Sequence, residues 1–312
     1  MDRYPVLRAE GMDEISRYYG FTVLDFEPIA GGASNSSYLL STRNEKLVVT
    51  IFGDKSLTYV SRLEKLLRHL AVSGFPTNRI VSPEKDKEPV MVFGETPVLV
   101  KEYIPGDVHL NLDKNMLVQV GSVMGELHQI SAPEFLPEKH AYDKQLFPSV
   151  FKINIDPGYE EWLADRYAYL NQCFPIDLPK CLIHGDLFMD NIVFENNKLE
   201  ALIDFEDACH YYRVFDLGMG IVGMCTDDGK IDLDKAGAFI RGYQQVQSLE
   251  EVEKNHLQLF VEYAAIATSY WRFWKYNIHE PVADKAELHM QMVEIAKDVN
   301  AIPREEFIDA IF

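Results

Sequence analysis

Cysteine is scarce in this chain of 312 residues, and its spacing suits neither bridging nor metal binding. Cys173, Cys181, Cys209 and Cys225 form no C-x-x-C pair and have no H-x-x-x-H partner, which excludes a zinc cluster or a disulfide framework as the organising element. Basic charge is short as well: 30 Lys and Arg face 49 Asp and Glu, for a net charge of −19. A chain so acidic lacks the basic face that nucleic acid or an anionic membrane requires, so neither is expected as a partner. No apolar run approaches the roughly 20 residues of a membrane span. The first twenty residues also lack the apolar core of a secretion signal, and the chain reads as soluble and cytoplasmic.

What is present is ordinary globular composition, 47% apolar and 12% aromatic, at a length that accommodates two core-bearing lobes. Residues 13–20 pattern as a short helix closed by Gly20, and 21–29 as a strand running into Gly31-Gly32. Residues 37–42 and 47–52 read as period-2 strands around the turn Arg43-Asn44-Glu45. Leu57, Val60, Leu63, Leu67 and Leu70 recur at helical steps until Gly74 and Pro76 stop them. Two more strands, 90–93 and 98–103, flank a turn at Gly94-Glu95-Thr96-Pro97. Beyond Pro105-Gly106-Asp107 helical patterns dominate, at 115–130, 160–173, 234–246 and 255–276, interrupted by a strand-rich insert from Cys181 to Leu217. The expected division is 1–103, a small sheet with one main helix, and 104–312, a larger and mostly helical lobe.

The insert carries the chemistry. It reads His184-Gly-Asp186-x-x-x-x-Asn191, then a strand, a turn at Asn196-Asn197, a second strand, and Asp204 at its end. Asp, Asn and Gly are common turn formers, so any one of them says little. Together they match what phosphoryl transfer requires: a carboxylate to orient a hydroxyl and accept its proton, and two oxygen ligands for magnesium. Asp186 suits the base, and Asn191 with Asp204 the metal.

These residues resemble the aminoglycoside phosphotransferase and choline kinase superfamily, with its H-x-D-x-x-x-x-N and I-D-F/W signatures. The bacterial homoserine kinase branch, H-A-D-L-F-x-D-N followed by L-I-D-F-x-x-A-C, is similar in detail to His184–Asn191 and to Leu202-Ile203-Asp204-Phe205 with Ala208-Cys209. The resemblance implies an α+β, two-lobed, protein-kinase-like fold and an ATP- and Mg2+-dependent kinase. It also implies Asp186 as base, Asn191 and Asp204 as metal ligands, and Asp216 as a brace for the catalytic loop; as an alternative, Asp216 caps a helix ahead of Leu217. His184 reads as a loop residue rather than a proton carrier.

For the nucleotide, Ala30–Ser36 lies between two strands where backbone N–H groups can meet phosphate, although Gly-Gly before Ser-Asn is also an ordinary turn. The branch shows G-x-E-N-[ST]-N here, and this chain keeps Gly32, Asn35 and Ser36, with Ser34 in place of the acid. Thr50 stands where a protein kinase places its phosphate-binding lysine, as in the L-T-L-[YF] strand of the branch, which leaves the phosphate cation unnamed. Lys46 and Lys55 flank that strand and read as solvent-facing. Glu102 and Ile104 are expected to pair the adenine edge through their backbones.

The resemblance implies a small amino alcohol or amino acid as acceptor. Residues 184–234 hold twelve acidic side chains against Lys198, Arg213 and Lys230, a field that favours an amine. Glu206, Asp207 and Tyr211 are candidates to meet it, with Glu206 and Asp207 open to a loop-stabilising role. Homoserine also carries a carboxylate, which an arginine fork recognises well. The branch's two arginines align with Ala267 and Arg272, so Arg213 and Arg272 are the carboxylate candidates, with structural ion pairing as the alternative. Tyr263, Tyr270, Trp271, Phe273 and Trp274 form either an ammonium box or a core stripe. Homoserine leads as acceptor. An aminoglycoside or choline/ethanolamine-type kinase is the second reading, and a catalytically silent nucleotide-binding regulator the third. No A-P-E segment follows Asp204, which argues against a protein kinase.

Overall fold

Turn chemistry sets the pairing of the N-terminal strands. The computed structural model describes residues 7–29, 35–84, 86–174 and 177–312. It divides into two units: Met1–Asp107 with Val193–Asn196 and Glu200–Glu206, and Val108–Ile192 with Asn197–Leu199 and Asp207–Phe312. Helix α1 (Ala9–Tyr19) ends at Gly20, whose φ of 81° favours glycine and whose N–H returns to the Ser16 carbonyl. Strands β1 (Val23–Pro28), β2 (Ser36–Thr42) and β3 (Lys46–Ile51) follow. In the β2–β3 turn the Thr42 hydroxyl accepts the amides of Asn44 and Glu45. Helix α2 (Leu57–Val72) starts at Ser56, whose hydroxyl accepts the Tyr59 N–H at 3.2 Å. Strands β4 (Met91–Phe93) and β5 (Thr96–Glu102) complete an antiparallel sheet in the order β1-β2-β3-β5-β4.

One face of this sheet, with Leu40, Leu47, Val49, Ile51, Val98 and Val100, forms a single core with Met12, Ile15 and Tyr19 of α1. Alternation puts Thr50, which pairs with Ser37 and Leu99, on the opposite face. The buried stripe of α2 is Val60, Leu63, Leu66, Leu67 and Leu70. Leu57, which the spacing assigns to that stripe, sits at the first helical position and is exposed.

The second unit is mostly helical. It contains α3 (Lys114–Leu127), capped by Asp113, and α4 (Pro157–Cys173), capped by Asp156 with proline in its first turn. Strand β6 (Lys180–Ile183) precedes the hairpin of β7 (Ile192–Glu195) and β8 (Lys198–Leu202), most of which belongs to the first unit. Its turn residues Asn196 and Asn197 both have positive φ, the geometry a tight hairpin needs. Strand β9 (Cys209–Tyr212) pairs antiparallel with β6, setting Ile183 opposite Cys209. The chain continues through α5 (Arg213–Met224), a small hairpin of β10 (Thr226–Asp227) and β11 (Lys230–Ile231), α6 (Leu233–Gln244) and α7 (Glu251–Phe273). A π-helical turn (Trp274–His279) then precedes α8 (Leu288–Ala301) and α9 (Arg304–Ile311).

Two features depart from the sequence pattern. The strand-rich insert ends at Tyr212, and 213–217 belong to α5. All twelve residues of α5 are buried, so no polar face marks a 3.6 period. Its Gly218 faces α7 so closely that a Cβ there would lie 2.5 Å from the Phe260 carbonyl. Helices α8 and α9 extend the helical lobe beyond the last expected element, with Met292, Val293, Ile295, Ala296 and Val299 buried. The four cysteines are free thiols. Among the described residues no helix is long and apolar enough to cross a membrane.

Candidate active site

The loop that carries Asp186 is pinned by its neighbours from both sides. Asp216, expected as brace or helix cap, is the fourth residue of α5 and is wholly buried. Its carboxylate accepts the His184 N–H and the Gly185 N–H, each at 2.8 Å, and lies 3.0 Å from His128 Nε2. His128 Nδ1 in turn meets the Tyr243 hydroxyl at 2.9 Å. Burial opposes ionisation of Asp216, but the His128 hydrogen bond, the proximity of His184 and the Gly185 N–H outweigh it, and its carboxyl is held below the usual range. The other side of the loop is closed by His140, whose Nδ1 accepts the Tyr142 N–H at 3.2 Å and whose Nε2 donates to the Gly185 carbonyl at 2.8 Å. Burial holds this imidazole below its ordinary pKa, against the charges of Asp207, Asp216 and Asp143.

Asp186 follows directly. Its N–H donates to His184 Nδ1 at 3.3 Å, so the wholly buried His184 serves the loop as an acceptor. The Asp186 carbonyl accepts the side-chain N–H of Asn191 at 2.8 Å. That bond assigns the Asn191 amide nitrogen to the loop, and its side-chain oxygen is a donor of the kind magnesium prefers. Asp204 lies just past β8 with φ of 66°, a conformation that Asp tolerates better than most residues.

Of the residues expected to meet the nucleotide, Gly32 and Ser34 lie outside the described residues. Ser36 opens β2 opposite Ile51. Asn35 donates its side-chain N–H to the Glu206 carboxylate at 2.5 Å, and the Glu206 carbonyl accepts the Tyr59 hydroxyl at 2.7 Å. Glu206 is thus engaged within the first unit, by the loop residue before β2 and by α2. Thr50 is buried, with its hydroxyl 3.2 Å from that of Ser37. At the end of β5 the Glu102 N–H donates to the Arg79 carbonyl at 2.8 Å and its carbonyl accepts the Asn78 side chain at 3.3 Å. Lys46 lies over the Tyr103 ring, 5.6 Å from its centroid.

Of the residues expected to meet the acceptor, Asp207 accepts the Tyr142 hydroxyl, and its backbone abuts Gly185: a Cβ at Gly185 would lie 2.6 Å from the Asp207 carbonyl. The Tyr142 ring stands 5.7 Å from Trp271, and Trp271 stands 5.9 Å from Tyr276. Arg272, one residue along α7, donates to the Leu288 carbonyl at 3.3 Å and to Gln291 at 3.2 Å. Burial lowers its pKa, and the nearby charges of Tyr276, Asp186 and Asp190 oppose that shift. Lys275, buried in the π-helical turn, pairs with Glu280 at 3.0 Å.

Arg213 and Tyr211 are engaged elsewhere. The Arg213 guanidinium grips the fully buried Glu253 through two nitrogens, one bond at 2.6 Å, and also donates to the Ser248 carbonyl. Glu253 closes the capping box of α7, so the pair ties α5 to the start of that helix. The Tyr211 hydroxyl donates to Asp143 at 2.6 Å inside the core. Tyr263, Tyr270 and Phe273 are buried core side chains, whereas Trp271 and Trp274 are half-buried. His128, His140, Tyr142 and Asp143 escape sequence reasoning, because they precede the motif by more than forty positions and show no spacing of their own.

The same fold recurs in solved kinases. An amicoumacin kinase in complex with AMP-PNP, Ca2+ and Ami superposes with a TM-score of 0.72 at 15% identity, covering 97% of this chain and 94% of that one. A choline/ethanolamine kinase family protein from Mesorhizobium loti gives 0.70 at 16%, covering 96% and 99%. The fold is therefore the protein-kinase-like one of small-molecule phosphotransferases. Residues 25–250 match the phosphotransferase enzyme family, and the chain belongs to it. A homoserine kinase from Parvibaculum lavamentivorans is 28% identical over 274 residues, 84% of each chain. The protein is a small-molecule kinase.

Proposed function

We propose that this kinase transfers the γ-phosphoryl group of MgATP to the hydroxyl of an amino-bearing small molecule, with homoserine as acceptor. The observation that carries the reading is the fixed loop. With its peptides held by Asp216, His140 and Asn191, the Asp186 carboxylate is pre-positioned, and positioning is most of what phosphoryl transfer asks of a protein.

In this mechanism Asp186 orients the acceptor hydroxyl and takes its proton as that oxygen bonds to the γ-phosphorus. The bond from the γ-phosphorus to the bridging oxygen breaks, and ADP leaves. Asn191 and Asp204 would hold magnesium, which would neutralise phosphate charge. Asn35, Ser36 and Thr50 would line the phosphate end, where the sequence pattern also assigns Gly32 and Ser34. Ile104 offers adenine its N–H, which has no acceptor among the described residues, and Glu102 offers the second lone pair of its carbonyl. Asp207 meets the acceptor's amine, with Tyr142 and Trp271 beside it, and Arg272 meets its carboxylate.

A second reading, an aminoglycoside or choline/ethanolamine-type kinase, rests on Ala267. That residue is fully buried where the homoserine kinase pattern has an arginine, so one carboxylate contact is absent. ADP release measured across homoserine, choline, ethanolamine and several aminoglycosides separates the two, with Asp186→Asn as control. Turnover of homoserine, reduced about 10²- to 10⁴-fold in the variant, supports the first reading. Turnover confined to an acceptor without a carboxylate replaces it with the second, and activity that survives in Asp186→Asn removes the assigned base.

A further inference from the structure

The unnamed cation at the phosphate end has a structural answer, which rests on the nucleotide reading above. We propose that Lys55 and Arg62, both held against the ring of Tyr59, bind the β- and γ-phosphates of the nucleotide in place of the lysine that Thr50 replaces on β3.

The usual arrangement is closed off within this unit. Thr50 holds the lysine's place on β3 with a buried hydroxyl, not a charge. In protein kinases that lysine pairs with a glutamate of the following helix. Here the buried glutamate of α2, Glu64, is taken by Arg68 one turn along, and Arg68 also donates to Ser82. Lys87 is bound to the carbonyls of Arg17 and Tyr18, and Lys46 rests on Tyr103.

Lys55 and Arg62 differ from these. The Lys55 ammonium sits 4.9 Å and the Arg62 guanidinium 5.1 Å from the centroid of the same Tyr59 ring. Both are half-buried, and among the described residues neither pairs with a carboxylate, in a chain whose acids outnumber its bases 49 to 30. An aromatic face orients a cation without neutralising it, so the charge stays available to an anion.

The location matches the task. The Tyr59 hydroxyl donates to the Glu206 carbonyl at 2.7 Å, two residues after Asp204. The Glu206 side chain holds Asn35, the described end of the proposed phosphate loop, at 2.5 Å. One turn thus joins the loop, the carboxylate assigned to magnesium and the ring bearing the two cations. Arg62 has the planar fork that engages two phosphate oxygens, and Lys55 supplies a compact point charge.

Titration calorimetry of the full chain with Mg·AMP-PNP and with adenosine tests this. Lys55→Met and Arg62→Met should each weaken Mg·AMP-PNP about tenfold and leave adenosine within about twofold, while Lys55→Arg keeps most of the affinity. Unchanged Mg·AMP-PNP binding by the double variant Lys55→Met/Arg62→Met overturns the proposal. So does equal weakening of adenosine, which marks a structural role. If the wild-type chain binds adenosine but gains nothing from the phosphates, the proposal fails and the adenine site stands. If it binds neither, the nucleotide reading itself falls, and this inference with it.

Discussion

Asp216 accepts the backbone N–H of His184 at 2.8 Å, across 32 positions of sequence. The same carboxylate takes the next N–H, that of Gly185, so one buried side chain on α5 sets the approach to Asp186. Because α5 is buried on every side, the loop inherits the rigidity of the core.

Replacing Asp216 with Asn removes the charge and leaves one oxygen where two served. A buried hydrogen bond to a charged group is worth about 1.5–3 kcal/mol, so denaturant unfolding should show a loss of about 3 kcal/mol. The loosened loop should also lower kcat about 10²-fold, with little change in nucleotide affinity. Full activity in a destabilised Asp216→Asn would confine the residue to folding.

Gly185 has a φ of 86°, and a Cβ there would press to 2.6 Å from the Asp207 carbonyl. Gly185→Ala therefore meets backbone strain and a steric clash, each costing on the order of 1–3 kcal/mol. Since Asp207 is assigned to the acceptor, steady-state kinetics should show a rise in acceptor KM together with a fall in kcat, and KM for ATP should hold.

Acid should weaken the fold in two stages. His140 is held below its ordinary 6.5 by burial, so the unfolded chain binds the extra proton first and stability falls as pH drops below about 6.5. Asp216, held below 3.8 despite its burial, contributes stability that is lost only as pH falls beneath that value. Thermal midpoints measured from pH 7 to pH 5 should decline in the wild type and less steeply in His140→Asn, where His289, also held below 6.5 by burial, still contributes. An unchanged slope in that variant assigns the early stage to another group.

Arg213 and Glu253 provide a contrasting test. Breaking a buried pair by removing one partner costs about 3–5 kcal/mol, whereas replacing both with apolar residues is often close to neutral. Arg213→Met should thus lower the melting temperature sharply, and Arg213→Met/Glu253→Met should recover most of the loss. Neither should alter acceptor KM. A selective rise in that KM would return Arg213 to the acceptor site.

Much of this protein is determined locally. The turn at Asn196-Asn197, the helix stop at Gly20 and the alternation of β2, β3 and β5 follow from φ preferences and from the period of 2, which adjacent residues settle among themselves. The spacing of Asp186, Asn191 and Asp204 is local in the same sense, since one loop and one hairpin suffice to set it. Tertiary packing decided the rest. Glu206 and Asp207 are neighbours with the same charge, yet one side chain goes to Asn35 in the first unit and the other to Tyr142 in the second. Arg213 and Arg272 likewise look alike in sequence, but one is enclosed with Glu253 and the other lies in the field of Asp186. Local pattern reports which face of an element is apolar. It carries no record of which distant carboxylate, ring or peptide will be brought against that face, and the energy of a charge depends on that neighbour.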